Sequence, residues 1–290
     1  MHILVTGNTG RIGRWVVARL LEAGHTLRTL DKAAQFRQND WEHLPGDICD
    51  SALVRRATQG MDAVVHLAAV PGNLPGYEEM LYRTNLQGTW NVLLACAEAG
   101  VSRVVNFSSI NALGHAEPTH GELYLPLDDA IPHHPAQPYF ISKHIGEEFC
   151  QAYATLHDLV AISLRPTMVL QPASEEERWW DFLTEERQAF YATRDFWSYV
   201  DVRDVSEAVL LSLTAPVTGH QGFLLTADDT HASLTSAELV QKYYSHLPWP
   251  NIPQDEYLAG NPNRSLVDCK RANEVLNWQP KFSHRRPENP

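Results

Sequence analysis

The chain has 290 residues, 44% of them hydrophobic and 20% charged, which suits a globular protein with one large domain and a smaller lobe. Its formal net charge of −12 argues against nucleic acid or an anionic membrane as partner, because both are themselves negative. Four scattered cysteines without a CxxC pair, no membrane-length apolar run and no pattern of a secretory signal predict a cytoplasmic protein without disulfides or zinc.

Short apolar runs alternate with longer helical patterns through the first two-thirds of the chain. The predicted strands are Ile3–Val5, Thr26–Leu30, Ala63–Leu67, Arg103–Phe107 and Ile162–Leu164. The predicted helices are Trp15–Ala23, Ser51–Thr58, Glu78–Ala99 and a helix from Tyr139 to about His157. This alternation predicts an α/β fold with a doubly wound parallel sheet (Rossmann) covered by helices on both faces.

The last third of the chain has a different character. Helices are predicted over Glu175–Gln188, Arg203–Leu213 and Thr235–Tyr244, the last with Ser233 or Thr235 as N-cap. We therefore assign residues 1–165 to a Rossmann domain and 166–290 to a small C-terminal substrate lobe, interleaved with a return to the Rossmann core around 199–225. The stretch 111–138 carries five prolines and no periodicity, which is typical of a functional lid or a disordered loop.

A glycine-rich turn directly follows the first predicted strand. In the sequence Thr6-Gly7-Asn8-Thr9-Gly10-Arg11-Ile12-Gly13, the glycines permit a tight turn, a close approach to a pyrophosphate and close packing of helix on strand. A turn without a ligand has the same composition, but a strand before it and a helix after it favour a dinucleotide. The candidate cofactor contacts in this turn are Gly7, Thr9, Gly10, Arg11, Ile12 and Gly13.

The second predicted strand leads into Asp31, about twenty residues past the glycines. A carboxylate at this place accepts hydrogen bonds from the adenosine ribose hydroxyls and repels a 2′-phosphate. Asp31 therefore favours NAD over NADP, unless it serves only as a turn or helix-capping residue. Lys32 weakens the preference, since its ammonium could meet a phosphate.

A tyrosine and a lysine four residues apart open the helix predicted from Tyr139. At this spacing Tyr139 and Lys143 share one helix face, and the ammonium is expected to lower the pKa of the phenol. Tyr139 could then exchange a proton with a substrate hydroxyl near neutral pH. Ser109 follows the strand Arg103–Phe107, at the edge where parallel sheets place ligand contacts. The pair alone is common on exposed helices, but in this order with the glycine turn it favours an oxidoreductase site.

These motifs make the chain similar to the extended short-chain dehydrogenases/reductases, the family of NAD-dependent sugar epimerases and dehydratases. The resemblance covers nearly the whole chain and implies that Tyr139 is the acid/base, that Lys143 binds the nicotinamide ribose, and that Ser109 orients the substrate. It also implies a homodimer, formed through a four-helix interface that Glu78–Ala99 and the Tyr139 helix would supply. Further cofactor contacts implied by the family's motifs are Asp47, Ile48, Leu67, Ala68, Ala69 and Asn85.

Departures from the family pattern narrow the expected activity. Dehydratases carry an Asp-Glu pair after the catalytic hydroxyl residue, whereas this chain has Ile110 and Asn111, which argues against a 4,6-dehydratase. We take Ser109, Ile110, Asn111 and Tyr139 as candidate substrate contacts. Only about thirty residues separate Pro166 from Tyr199, fewer than in the sugar-nucleotide enzymes of the family.

The sequence thus predicts NAD-dependent hydride transfer at a hydroxyl or carbonyl carbon of a small carbohydrate-like substrate, such as a sugar, sugar acid or lactone. The family's compact uronate dehydrogenases are the nearest analogy. A sugar-nucleotide epimerase and a non-catalytic NAD-binding regulator are the alternatives. Fourteen histidines raise the question of a metal site, but His115, His120, His133 and His134 lie in the proline-rich loop without helical spacing and without a carboxylate or cysteine at ligand spacing, so we expect no metal site.

Several residues between the two lobes are weaker candidates for substrate contacts. Arg178, Arg187 and Arg194 could bind a carboxylate or phosphate, although a solvated helix face explains each of them as well. Trp179-Trp180 and Phe196-Trp197 could stack on a sugar, although packing within the small lobe is the simpler interpretation.

Overall fold

The computed structural model describes residues 1–34, 41–72, 76–116, 123–172, 194–283 and 285. The strands are β1 (His2–Thr6), β2 (Thr26–Asp31), β3 (Glu42–Pro45), β4 (Ala63–His66), β5 (Arg103–Phe107), β6 (Val160–Pro166), β7 (Met168–Leu170), β8 (Tyr199–Asp201) and β9 (His220–Leu225). The helices are α1 (Gly13–Glu22), α2 (Ser51–Thr58), α3 (Glu78–Leu81), α4 (Thr89–Ala99), α5 (Pro138–Leu156), α6 (Val202–Ser212), α7 (Ser236–Leu239), α8 (Gln254–Leu258) and α9 (Lys270–Leu276).

A seven-stranded sheet with the strand order β3-β2-β1-β4-β5-β6-β9 organises the described residues. Every pairing in it is parallel. The chain starts in the middle with β1, adds strands to one side, and then crosses back to β4 on the other. Such a reversal opens a crevice beyond the carboxyl ends of the strands. The predicted α/β doubly wound class is confirmed.

The two faces of the sheet carry separate hydrophobic cores. Ile3 and Val5 of β1 face α1, α6 and α9, whereas Leu4 between them faces α2, α4 and α5. This alternation is expected, because successive side chains of a strand point to opposite faces of the sheet. Since both faces are covered by helices, the central strands are apolar at every position rather than at every second one. A third cluster joins Ile110, Leu113, Leu125, Leu127 and Ile131 to residues of the C-terminal third.

Some elements differ from the sequence prediction. The helix predicted over Glu78–Ala99 is divided into α3, a π-helical segment at Tyr82–Gly88, and α4. β3 was missed because its sequence, Glu-His-Leu-Pro, lacks an apolar run. Thr235 is confirmed as an N-cap, in a capping box with Glu238. The predicted helix Glu175–Gln188 lies outside the described residues, and among the described helices none is long and apolar enough to cross a membrane.

Candidate active site

The turn after β1 can be formed only by glycine at two positions. Gly7 has φ +76°, and a Cβ atom on it would lie 2.6 Å from the amide nitrogen of Ala68. A Cβ atom on Gly13 would lie 2.1 Å from the carbonyl oxygen of Gly7. The Gly7 amide donates to the carbonyl oxygen of Leu30 at 2.9 Å, which fixes the turn between β2 and β4. The turn therefore brings β1, β2, β4 and the start of α1 together.

The N-terminus of α1 is suited to an anion. α1 has neither a side-chain cap nor an acidic residue in its first turn. By contrast, α2 is capped by Asp50 and α6 by Asp201. An uncapped helix start next to a glycine turn leaves amides and the positive end of the helix dipole for phosphate oxygens. The residues therefore fit a dinucleotide, with the exposed Thr9, Gly10 and Arg11 on the open side.

Two predicted cofactor carboxylates lie at strand ends beside this turn: Asp31 ends β2, and Asp47 follows β3. The Asp31 carboxylate accepts from the amides of Thr9 and Ala33, each at 3.1 Å, so it also braces the glycine turn, a role that sequence reasoning missed. Lys32 forms an ion pair with Asp47 at 3.1 Å. Burial alone would raise the pKa of Asp47, but hydrogen bonds from Cys49 and Lys32 outweigh it and hold that pKa below its usual range. Lys32 thus has a carboxylate partner within the protein, in place of the 2′-phosphate that its ammonium could otherwise meet.

The other predicted cofactor residues are buried or half-buried. Ile48 is 3% exposed and packs on Gly88, where a Cβ atom would lie 2.4 Å from the Ile48 side chain. Leu67, Ala68 and Ala69 follow β4 half-buried, close to the glycine turn. Ile12 lies at the start of α1 and packs partly on the core.

Asn85 in the π-helical segment has its side chain engaged by the protein. Its Oδ1 accepts from the Val70 amide at 2.8 Å, and its Nδ2 donates to the Val70 carbonyl at 3.1 Å and to Ser142 Oγ at 3.0 Å. Asn85 thus ties the segment after β4 to α5. Its predicted contact with the cofactor stays a prediction.

The three predicted catalytic residues meet at the end of β5. The Tyr139 phenol is hydrogen-bonded to the Ser109 side chain. The Lys143 ammonium donates to the Phe107 carbonyl at 2.7 Å and lies 5.9 Å from the centroid of the Tyr139 ring. Ser109 Oγ also accepts from the Asn111 amide at 3.2 Å. This constellation combines a proton-transfer group, a neighbouring cation and a hydroxyl that can hold a substrate oxygen.

Burial changes the electrostatics that the spacing alone predicts. It raises the pKa of Tyr139 to about 12, with only partial opposition from the hydrogen bond of Ser109. Burial also lowers the pKa of Lys143 to about 8, against the attraction of Glu147. The expected lowering of the Tyr139 pKa by Lys143 is therefore wrong for this state of the site, because desolvation of the phenol outweighs the ammonium. At neutral pH the Tyr139 phenol is protonated in this state of the site, and Lys143 is mostly cationic.

Two buried polar groups lie behind the site, of which sequence reasoning missed Glu147. His66 bridges Thr6 Oγ1 at 2.7 Å and Thr89 Oγ1 at 3.0 Å, and burial followed by the charge of Lys143 lowers its pKa to about 3. Glu147 accepts from Ser108 Oγ at 2.5 Å. Its position four residues after Lys143, on the same helix face as Tyr139, was the signal that could have revealed it.

The predicted substrate contacts Ile110 and Asn111 follow Ser109 in a short 3₁₀ turn. Asn111 is half-buried, whereas the Ile110 side chain is 2% exposed and packs in the third hydrophobic cluster. A role of Ile110 in substrate binding would therefore fall to its backbone. Among the described residues, no group of three His, Cys, Asp or Glu side chains is arranged to hold a metal ion.

The weaker candidates fall into two groups. Phe196 packs on Tyr244 and Trp197 on Tyr243, with ring centroids 5.0 and 4.9 Å apart, so both serve the packing of the small lobe. Of the arginines, Arg194 lies two residues before Phe196. Arg178, Arg187 and Trp179-Trp180 lie outside the described residues.

Comparison with known proteins adds to this geometry. Residues 3–224 match the model of the NAD dependent epimerase/dehydratase family. The chain is 28% identical over 305 residues to the UDP-glucose 4-epimerase of Mycolicibacterium smegmatis, covering 98% of this chain and 95% of that protein.

Solved structures share the fold across nearly the whole chain. A short-chain dehydrogenase/reductase superfamily protein from Agrobacterium tumefaciens with bound NAD superposes with a TM-score of 0.74 at 24% identity, covering 98% of this chain and 93% of that one. The uronate dehydrogenase of Agrobacterium tumefaciens superposes with a TM-score of 0.65 at 19% identity, covering 97% of this chain and 84% of that one.

Proposed function

We propose that this chain, which belongs to the NAD-dependent epimerase/dehydratase family, is a dehydrogenase that oxidises a hydroxyl carbon of a small, free carbohydrate-like substrate. A sugar, a sugar acid and a lactone are the candidate substrates. The observation that carries the proposal is the contact of Tyr139, Ser109 and Lys143 at one strand end, next to a cradle that fits the NAD used by this family.

Each catalytic residue has a role that its contacts support. NAD, when bound, supplies the acceptor for the hydride that leaves the substrate carbon. Ser109 would hold the substrate oxygen, and Tyr139, in its phenolate form, would accept the proton of the substrate hydroxyl as general base. Lys143, fixed by the Phe107 carbonyl, would bind the nicotinamide ribose and present its charge to the phenol. Asp31 and the uncapped start of α1 would bind the adenosine ribose and the pyrophosphate.

The size and charge of the small lobe support a substrate without a nucleotide. The stretch between Pro166 and Tyr199 has about thirty residues, of which 173–193 lie outside the described part. It contains the acidic runs Glu175-Glu176-Glu177 and Glu185-Glu186, which suit a diphosphate poorly. Arg178, Arg187 and Arg194 only partly offset this charge.

A panel of substrates tests the proposal directly. The protein is supplied with NAD and with aldoses, sugar acids, lactones and sugar nucleotides, and NADH absorbance is followed. We expect net NADH formation with a small free substrate and, by calorimetry, no binding of UDP or UDP-glucose at sub-millimolar concentration. Tight UDP binding would contradict the proposal. NAD binding without turnover of any substrate would instead indicate a regulator.

A sugar-nucleotide epimerase is the second candidate function. It is favoured by the full-length match to a UDP-glucose 4-epimerase, and it would use the same Ser109, Tyr139 and Lys143. An epimerase returns the hydride to the other face of the same carbon and leaves no net NADH. Interconversion of UDP-sugars without NADH release, measured by product analysis, would select this candidate.

The family resemblance and the surface of α4 and α5 support a homodimer. Trp90 and Ile141 are exposed apolar side chains on these helices, and the Trp90 ring lies 5.3 Å from those of Phe149 and Tyr153. Exposed apolar side chains of this kind would be buried if two copies paired their α4 and α5 helices around a two-fold axis. Sedimentation should give a dimer that Trp90→Glu converts to a monomer.

The described cysteines are all free thiols, in keeping with a cytoplasmic location.

A further inference from the structure

Helix α5 makes three contacts with the end of β5, one from each of three successive turns. Tyr139, Lys143 and Glu147 are spaced four residues apart and therefore share one face. Tyr139 bonds to the Ser109 side chain, Lys143 donates to the Phe107 carbonyl at 2.7 Å, and Glu147 accepts from Ser108 Oγ at 2.5 Å. Phe107, which ends β5, and the two residues that follow it are thus each held by one side chain of α5.

Glu147 is the anchored member of this set. It is 2% exposed, and Arg165 of β6 donates to both of its oxygens, with the shortest contact 2.6 Å from Nη2 to Oε2. Arg165 also donates to Asp129 at 3.2 Å, and Asp129 in turn accepts from the Leu224 amide. Gly222 leaves room for the guanidinium, since a Cβ atom there would lie 2.6 Å from Arg165 Cζ. The carboxylate is therefore fixed from the side away from the crevice.

The charges of this network are balanced behind the site. Two cations, Lys143 and Arg165, are buried with two carboxylates, Glu147 and Asp129. Burial lowers the pKa of Lys143, and the charge of Glu147 one helical turn away opposes that lowering. Breaking a buried pair by removing one charge leaves the other uncompensated, which costs far more than losing an exposed pair.

We propose that Glu147 is a positioning residue that acts on both sides of the catalytic pair. Through Ser108 it fixes the backbone that carries Ser109, and through its charge it keeps Lys143 an ammonium. Arg165, itself bound by Asp129, holds Glu147 in the orientation in which it accepts from Ser108 and presents its charge to Lys143. This inference rests on the roles proposed above for Ser109 and Lys143.

Other titratable groups face the two charged side chains. Glu147 is faced by Arg165 of β6, by His220 of β9 and by Cys150 one turn further along α5. Lys143 is faced by His66 of β4 and by the Tyr139 phenol. Burial lowers the pKa of both histidines, to about 3 for His66 and about 4 for His220, so they are neutral above pH 6. Changes between pH 7 and 9 therefore report on Lys143.

The test compares two neighbouring glutamates. Glu147→Gln removes the buried charge and keeps the shape, and Glu148→Gln changes the exposed glutamate beside it on α5. The affinity for NADH is measured by fluorescence titration from pH 6.5 to 9.5, which requires no substrate. We expect the affinity of wild type and Glu148→Gln to weaken with a midpoint near the Lys143 pKa of about 8. For Glu147→Gln the midpoint should move down by about one pH unit.

A second variant separates position from charge. Ser108→Ala removes the hydrogen bond to Glu147 and leaves all charges in place, so the pH midpoint of NADH affinity should stay where it is. Turnover should fall about tenfold or more with KM less affected, because Ser109 is displaced from the reacting geometry. Since this change deletes one small hydroxyl, it tests the positioning role even if Glu147→Gln does not fold.

The outcomes distinguish this inference from the proposed function. Equal midpoints for Glu147→Gln and Glu148→Gln would overturn the charge role, and full turnover of Ser108→Ala would overturn the positioning role. If no substrate reacts, the proposed function is contradicted, whereas the NADH titrations still test the charge role of Glu147. A wild-type affinity that does not change with pH would refute the ribose-binding role of Lys143, and the charge role with it.

Discussion

The two sides of the crevice are built by different means. On the cofactor side, glycines without Cβ atoms and backbone hydrogen bonds define the turn, and Thr9, Gly10 and Arg11 are exposed. On the catalytic side, Lys143 and Glu147 are buried charges, 9% and 2% exposed. The first side depends on backbone shape and the second on charge balance. Substitutions that add volume should therefore damage the cofactor side most, and those that change a proton or a charge the catalytic side.

The largest expected effect lies in the chemistry of the catalytic side. Tyr139→Phe removes the proton-transfer group with almost no change in shape, so turnover should fall by about 10²–10⁴-fold while NAD still binds. Steady-state kinetics and NAD titration measure the two quantities separately. Tyr82→Phe, at an exposed tyrosine, is the matched control and should be silent. Near-full activity of Tyr139→Phe would refute its assigned role.

An added methyl group should break the cofactor side. Gly13→Ala would place Cβ 2.1 Å from the Gly7 carbonyl oxygen, so the turn must shift. We expect a loss of roughly 2–3 kcal/mol in the free energy of unfolding, together with weaker NAD binding. Chemical denaturation and calorimetry measure these.

Gly10→Ala provides the comparison at the same turn. Its Cβ would lie 3.2 Å from the Gly7 carbonyl oxygen, so the fold should lose less stability than in Gly13→Ala while the approach of the pyrophosphate is hindered. Equal free energies of unfolding for Gly13→Ala and Gly10→Ala would show that the close packing of α1 on the turn does not determine the stability of the cofactor side.

His66 joins the two sides, and its burial predicts a dependence of stability on pH. Its folded pKa of about 3 lies below the value of 6.5 expected when unfolded, so the unfolded state binds the proton more tightly. The contribution to stability is therefore complete above pH 6.5 and falls with pH below it, by about 2 kcal/mol at pH 5.

His66→Gln should remove this dependence. Between pH 7 and 5 the variant should lose about 2 kcal/mol less free energy of unfolding than wild type. Subtracting the change of the variant from that of wild type cancels the groups that both proteins share, including Asp129 and Asp204, whose pKa values burial raises to about 6. His157→Gln, at an exposed histidine, should follow wild type. Parallel curves for all three proteins would contradict the prediction.

The smallest expected effect is on the cofactor side and concerns the choice between NAD and NADP. Asp31 should exclude a 2′-phosphate, and the Lys32–Asp47 ion pair should keep Lys32 from attracting one. NAD should bind at least about tenfold more tightly than NADP, or about 1.4 kcal/mol. Titration of both cofactors decides the matter, and equal affinities or a preference for NADP would overturn it.

Local patterns were sufficient for the sheet and for the catalytic residues. Apolar runs such as Ile3–Val5 identify buried strands because both faces of the sheet are covered. Tyr139 and Lys143 were found from their spacing on one helix. The strand β3 could not be found, since an edge strand needs no apolar run.

Contacts between distant segments could not be read from the sequence. The π-helical segment at Tyr82–Gly88 departs from the regular helical period, yet it places Asn85 against Val70 and Ser142. The direction of the Tyr139 pKa shift was predicted wrongly because spacing reveals the ammonium but not the desolvation. Burial depends on the whole fold, which no single motif contains.

The packing of Trp278 has a consequence for synthesis on the ribosome. Its ring is 1% exposed in the same core as Ile3 and Val5 of the central strand β1, and its indole N–H donates to the Asp204 carbonyl at 2.8 Å. This core thus combines residues that are translated more than 270 positions apart. Until Trp278 has left the exit tunnel, the nascent chain lacks this part of the core, so apolar surface of the sheet is left open to aggregation.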